Sequence, residues 1–208
     1  MGADNVLEAT IVTPRGEVLV ANECQNSDIF FAIRGGGGGT YGVILEATIK
    51  AFPSPQTTSI LFSADLLNAT DQEEYWNLVS LLHTNLGKLK DGGAQGYYGL
   101  FPQGVAPLPQ LWLSMSVYNK PNGTIEKLFE PITSYLSSRP TQWNVTFEFG
   151  YFPNFWTRYQ PKDLELVAQA NGAMGSWMLS RKAITEDPER VSKQIRAACP
   201  LFASGMVC

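Results

Sequence analysis

The residues of this 208-residue chain best placed to do chemistry lie in one stretch, Gly35-Gly36-Gly37-Gly38-Gly39-Thr40-Tyr41-Gly42-Val43-Ile44. Glycine has no Cβ, so it accepts positive φ and lets another group approach the main chain closely. Five in succession expose a row of N–H donors, which suits a phosphate or a flat ring edged with carbonyls. A mobile linker is the plain alternative, but linkers mix glycine with serine between polar flanks. Here both flanks are apolar, Ile29-Phe30-Phe31-Ala32-Ile33 before and Val43-Ile44-Leu45 after. Gly37-x-Gly39-x-x-Gly42 also satisfies the dinucleotide pattern, which needs a strand before the glycines and a helix after them. The order is reversed here. Ser27 or Asp28 can cap a short helix running through Arg34, and residues 43–52 read as a strand. The dinucleotide reading is rejected.

Other reactive side chains are scattered. His83 is the sole histidine; it falls inside an amphipathic helical pattern and reads as a helix-surface residue, not a catalyst. Asp65 and Glu46 read as exposed strand positions. Cys24, Cys199 and Cys208 lack the pair spacing of a metal site, and no metal is expected. Their odd number leaves at least one unpaired, with Cys199 and Cys208 the most available pair, and all three read as structural thiols. A net charge of −4 without a basic cluster argues against a nucleic-acid partner. No run of eighteen apolar residues exists to span a membrane. Met1-Gly2-Ala3-Asp4 has neither a basic nor an apolar leader region, so no signal peptide is expected in this chain. Three sequons, at Asn68, Asn122 and Asn144, nevertheless point to a secretory parent. Asn68 and Asn122 sit at expected turns, whereas Asn144 opens a strand and is the poorest candidate.

A hydrophobic content of 44% with 16% charged residues describes a globular protein with material for a sizeable core. The elements that must position the glycines begin with a hairpin, Val6 to Thr13 and Val18 to Ala21, turning at Pro14-Arg15-Gly16-Glu17. With the strand after the glycines this makes a sheet of too few members. Pro53-Ser54-Pro55 marks a boundary, so residues 1–53 and 54–208 are assigned to separate domains. Beyond it come a strand at Thr58 to Ala64 and a helix from Thr70, whose capping box pairs Thr70 with Glu73. An antiparallel pair follows at residues 94–101 and 110–118. A helix from Gly123 containing Pro131 and a strand from Trp143 complete a β-α-β-β-α-β order. The expected class is α+β, an antiparallel sheet with two helices on one face. Phe155 to Tyr159 reads as a loop or short turn, and Trp177-Met178-Leu179-Ser180-Arg181 as a strand. Asp187 followed by Pro188 reads as the start of a final helix.

Three pieces in order, Asp4 to Glu17, Asn26 to Arg34, and the glycine run with Thr40-Tyr41-Gly42-Val43-Ile44, resemble the second half of the FAD-binding (PCMH-type) domain of the vanillyl-alcohol-oxidase and berberine-bridge-enzyme-like flavoproteins. The fungal alcohol-oxidase-like subgroup is the most similar. The resemblance is strong over residues 3 to about 53 and general beyond. It implies FAD as cofactor, held by the backbone of Gly35, Gly36, Gly37, Gly38 and Gly39 with Thr40, Tyr41, Gly42, Val43 and Ile44. Asp4 and Asn5 are second-line contacts. Plain core packing is the alternative for Tyr41 and Ile44. It also implies that residues 54–208 form an incomplete substrate domain, whose sheet lies over the flavin ring in the family.

Such enzymes move a hydride from a substrate C–H to the flavin while a base takes the hydroxyl proton, and oxygen reoxidises the flavin. No base is assignable by resemblance. Tyr97, Tyr98, Glu148 and Tyr151 lie on strands that could face a ligand, and Glu148 is out of place in an otherwise apolar alternation. The family's pyrophosphate loop, covalent-attachment residues and late Tyr-x-Asn-Tyr motif are absent from this sequence. The expectation is therefore a fragment of an FAD-dependent oxidoreductase acting on a small organic substrate, with a non-catalytic flavoprotein fragment or pseudo-enzyme as the rival. Eleven Phe, eight Tyr and five Trp give the sheet material for a ligand platform or simply a core.

Overall fold

The computed structural model describes residues 2–37, 39–104, 106–158 and 178–198. The chain divides into two compact units, Met1–Pro53 and the remainder from Ser54.

In the first unit a 3₁₀ turn at Ala3–Asn5 leads into β1 (Val6–Val12), β2 (Val18–Asn22), α1 (Ser27–Gly36) and β3 (Val43–Ile49). The sheet order is β2-β1-β3 with both pairings antiparallel. Two hydrogen bonds close the hairpin, Thr13 N–H to Glu17 O and Gly16 N–H to Thr13 O, each at 2.9 Å. The small core is the face carrying Ala9, Ile11 and Ala21, covered by Phe30 and Ile33 of α1. Neither Ser27 nor Asp28 caps α1. The N-cap is Asn26 in the left-handed region, φ 49°, without a side-chain cap bond. Its side-chain Nδ2 instead donates to Val20 O at 2.8 Å, tying the helix entry to β2. The helix also outlasts Arg34, taking in Gly35 and Gly36, because Thr40 Oγ1 donates to Gly36 O at 2.7 Å and supplies a partner for a terminal carbonyl.

The second unit runs β4 (Thr57–Leu66), α2 (Gln72–Asp91), β5 (Gln95–Phe101), β6 (Gln110–Tyr118), α3 (Thr124–Ser137) and β7 (Trp143–Phe152). After these come α4 (Phe155–Arg158), α5 (Arg181–Glu186) and α6 (Pro188–Ala198). The sheet order is β5-β6-β4-β7, wholly antiparallel, which is the split-βαβ arrangement expected from the element order. Ile60, Phe62, Ala64 and Leu66 alternate along β4, and Leu111, Leu113, Met115 and Val117 along β6. They meet Ile125, Phe129, Ile132 and Leu136 of α3 and Tyr75, Leu78, Val79 and Leu82 of α2 in one cluster. The α3 set recurs at four, three and four residues, the spacing of one helix face.

Local details differ from expectation. The cap of α2 is Asp71, whose side chain accepts from Glu74 N–H, so the Thr70–Glu73 box does not form. Thr70 instead donates Oγ1–H to Asn68 Oδ1 at 2.8 Å. The strand expected at 177–181 is not one: Met178 to Ser180 is extended coil and Arg181 opens α5, with Ser180 as its cap. Trp177 lies outside the described residues. Asp187 caps α6 as expected, accepting from Arg190 N–H at 3.0 Å. Cys24 is an exposed free thiol, and Cys199 and Cys208 lie outside the described residues.

Glu74 is the buried anchor of this unit. One carboxylate oxygen accepts from Tyr135 Oη and Trp143 Nε1, each at 2.9 Å, and lies 3.3 Å from Arg139 Nε. Burial, reinforced by that carboxylate, pushes the Tyr135 hydroxyl up to about 12, keeping it a donor. Glu74→Ala strands these donors and is expected to cost roughly 3 kcal/mol. Glu74→Gln, which keeps an acceptor, should cost less. Urea unfolding of the two variants checks the order.

Candidate functional site

In the first unit the structure brings the glycine segment against the hairpin turn. Val12, Thr13 and Pro14 on one side and Gly39, Thr40, Gly42, Val43 and Ile44 on the other line a cavity of about 550 Å³. Gly37 ends α1 with φ 90°, a conformation that favours glycine. Gly42 holds the other end of the segment at φ 154°. A Cβ there would lie 2.3 Å from Val12 O and 2.9 Å from Ile11 Cγ1, so only glycine lets the chain press against β1. Gly39 is the opposite case: a Cβ there meets nothing within 4 Å, which leaves bare main chain open to the cavity. The segment is thus held at Gly37 and Gly42 and bare at Gly39, where it leaves room for a phosphate-bearing cofactor with a flat ring.

The other expected contacts distribute unevenly. Gly35 and Gly36 are exposed helical residues, and the Tyr41 ring lies against Gly36, where a Cβ would come within 2.6 Å of Cε2. Tyr41 is 46% and Ile44 36% exposed, so neither is core. Asp4 and Asn5 sit in the 3₁₀ turn before β1, at the end of that strand away from Val12. That end is about 20 Å off along a seven-residue strand, and neither residue lines the cavity. Gly38 lies outside the described residues.

In the second unit the four proposed sheet residues separate by face. Tyr97 and Glu148 point to the side away from α2 and α3. Register sets Tyr97 opposite Ser114, Ser114 opposite Leu61 and Leu61 opposite Glu148, a single row across all four strands. Tyr97 is 81% exposed. Tyr98 points to the helix side, and Tyr151 shares the parity of Phe147 and Phe149, which pack on that side. Asp65, expected to be exposed, is half-buried and accepts from Gln110 Nε2 at 2.7 Å. Glu46 is exposed on β3. A larger cavity, about 710 Å³, runs between α5 and α6 and contains none of the expected residues.

His83 is the clearest correction. It is completely buried, with Nε2 3.0 Å from Tyr98 Oη and Nδ1 3.2 Å from Ser192 Oγ. It belongs to no cavity and ties α2 to β5 and α6. The apolar periodicity of α2 surrounded it, but its two partners, Tyr98 on β5 and Ser192 on α6, lie outside that helix and leave no mark on its pattern.

No family model matches the sequence. An uncharacterized FAD-linked oxidoreductase of Arthroderma benhamiae is 35% identical over 144 residues, covering 67% of this chain and 24% of that protein. FAD-linked oxidoreductase patO of Aspergillus clavatus is 28% identical over 94% of this chain and 33% of its own length. Among solved structures, the VAO-type flavoprotein MtVAO615 of Myceliophthora thermophila C1 superposes with a TM-score of 0.64. It is 25% identical and covers 94% of this chain and 35% of its own. The chain belongs to the VAO-type, FAD-linked oxidoreductases. FAD is the cofactor of that family. The chain spans about a quarter to a third of the length of these curated relatives.

Burial holds the His83 imidazole down at about 4, against an ordinary value of 6.5. The unfolded chain therefore binds a proton that the folded chain refuses between these values. The stabilisation is complete above pH 6.5 and is lost as pH falls toward 4. Between pH 7 and 4.5 the wild type should lose on the order of 2–3 kcal/mol more than His83→Gln, read from urea unfolding at the two pH values.

Proposed function

We propose that the protein of which this chain is part oxidises an alcohol or a related C–H group of a small organic substrate. FAD, when bound, accepts the hydride, and dioxygen takes the electrons on. The observation that carries the reading is the glycine segment, bare of side chains at Gly39, flanked by apolar Val43 and Ile44, and fixed at Gly42. Main-chain donors there can hold phosphates or ring carbonyls without a side chain in the way. Gly39, Thr40, Gly42, Val43 and Ile44 are assigned to FAD directly. Gly35, Gly36, Gly37 and Tyr41 shape the approach, with Asp4 and Asn5 more remote. The reading extends to a place in fungal secondary metabolism. The expected partner is a small molecule rather than a nucleic acid; among the described residues no helix is long and apolar enough to cross a membrane.

A secretory route fits the sequons. Asn68 is exposed on the β4–α2 connection and accepts from its own Thr70 hydroxyl, and Asn122 is exposed just before α3. Both can carry a glycan without disturbing the sheet. Asn144 is exposed but held in register opposite Asp65 within β7.

The test is flavin retention by the purified chain after incubation with FAD and desalting, read from the oxidised-flavin absorption band. Retention is expected, and Gly39→Val, which meets no neighbour in the fold but projects a branched side chain beside the cavity, should lower it at least tenfold with an unchanged unfolding midpoint. A chain that releases all added FAD favours the rival reading, a polypeptide that is not a flavoenzyme by itself.

A further inference from the structure

The side of the second sheet away from α2 and α3 is not flat. Where β4 and β7 pair, α4 returns over it and closes a cavity of about 260 Å³ lined by Ser59, Leu61, Glu148, Gly150, Phe152 and Arg158. Register makes the floor: Ser59 stands opposite Gly150 and Leu61 opposite Glu148. Gly150 keeps it open, since a Cβ would fall 2.5 Å from the Phe152 ring and 2.8 Å from Ser59 Oγ. The Phe152 ring in turn carries the Arg158 guanidinium, 5.7 Å from its centroid. A carboxylate and a guanidinium thus share one small concavity. Among the described residues no ion pair joins them. Between them lie an apolar wall, Leu61 and Phe152, and a hydroxyl, Ser59.

We infer that this cavity is a binding site for a small hydroxylated carboxylic acid with a flat apolar body. Arg158 takes the acid group in its two-pronged fork, the aromatic and aliphatic walls take the body, and Glu148 accepts a hydrogen bond from the hydroxyl. The volume suits a ligand below drug size. As a binding site it stands on the cavity alone. As the seat of the oxidised substrate it rests on the reading above, and it then narrows the substrate class to hydroxy acids.

The test needs no flavin, so its failure and that of the oxidase reading are separable. The full chain is titrated with 4-(hydroxymethyl)benzoate, with benzyl alcohol lacking the acid and benzoate lacking the hydroxyl as controls. Binding is followed by NMR at the backbone N–H of Leu61 and Gly150 and the Arg158 Nε–H. The expected result is saturable shifts at these three groups, with benzyl alcohol at least about tenfold weaker and benzoate a few-fold weaker. Arg158→Gln should weaken the acid about tenfold or more, Arg158→Lys less. Glu148→Ala, which removes the acceptor, should erase the preference for the hydroxymethyl compound over benzoate, and Glu148→Gln should only reduce it. Equal binding of acid and alcohol, an unaffected Arg158→Gln, or no shifts at these groups would overturn the assignment.

Discussion

β4 is paired along its length on both sides, with β6 and with β7, and the pleat must send its side chains alternately to opposite faces. Ile60, Phe62, Ala64 and Leu66 take one face and Ser59, Leu61, Ser63 and Asp65 the other. A slip of one residue would exchange the two sets, placing serines and an aspartate against the helices. The apolar set accounts for the cover by α2 and α3. The mixed set accounts for the other side: polar enough to stay wet, with Leu61 and the neighbouring Tyr97 as apolar footholds. The same parity that builds the core therefore delivers Glu148 to the open side and Tyr98 to the closed one.

On the closed side the polar groups carry structural roles. α6 gives the core little apolar surface; Ile195 is only partly buried against it. Its exposed Arg196–Glu73 pair, at 2.8 Å, adds little in water. The Ser192–His83–Tyr98 chain is the firmer tie, because the buried His83 would lose its Nδ1 partner if the helix moved away. Glu74 does the same for α3 and β7 through Tyr135 and Trp143. Both anchors lie on α2, so the longest helix serves as the spine on which the outer elements are hung.

What sequence could show was set by range. The hairpin, the split-βαβ order, the Asp187 cap and the Pro53–Pro55 boundary rest on patterns within a few residues, and each has a local physical cause. His83 was misread because its partners, Tyr98 and Ser192, are distant in sequence and invisible to helical periodicity. The α2 cap was misplaced by one residue because Thr70 and Asp71 both satisfy cap chemistry, and Asn68 engages the threonine first. The glycine run stood out in the sequence as a candidate, but its structural division did not. Thr40 extends the helix through Gly36, while Gly42 is pinned by the close approach of Val12, and neither contact has a sequence signature. Arg158 went unnoticed as a ligand group because only the return of α4 over the sheet brings it near Glu148.

The first unit shows why such a loop is held rather than merely flexible. Phe30 and Ile33 anchor α1 on the sheet, Thr40 closes the helix end, and the Gly42 contact fixes the entry to β3. With both ends set, ordering the few residues between them costs a ligand less than ordering a free tract of the same length. The remaining tension lies in β3, which among the described residues pairs with β1 alone and leaves Val43, Leu45 and Ile49 between 58% and 65% exposed. An apolar edge of this kind calls for cover. Val43 lines the cavity, so a flat ring bound there would shield it; Leu45 and Ile49 lie beyond that cavity. The strand therefore asks for two kinds of cover, a ligand at its start and protein along its length. The second is what the resemblance to a larger FAD-binding domain implies.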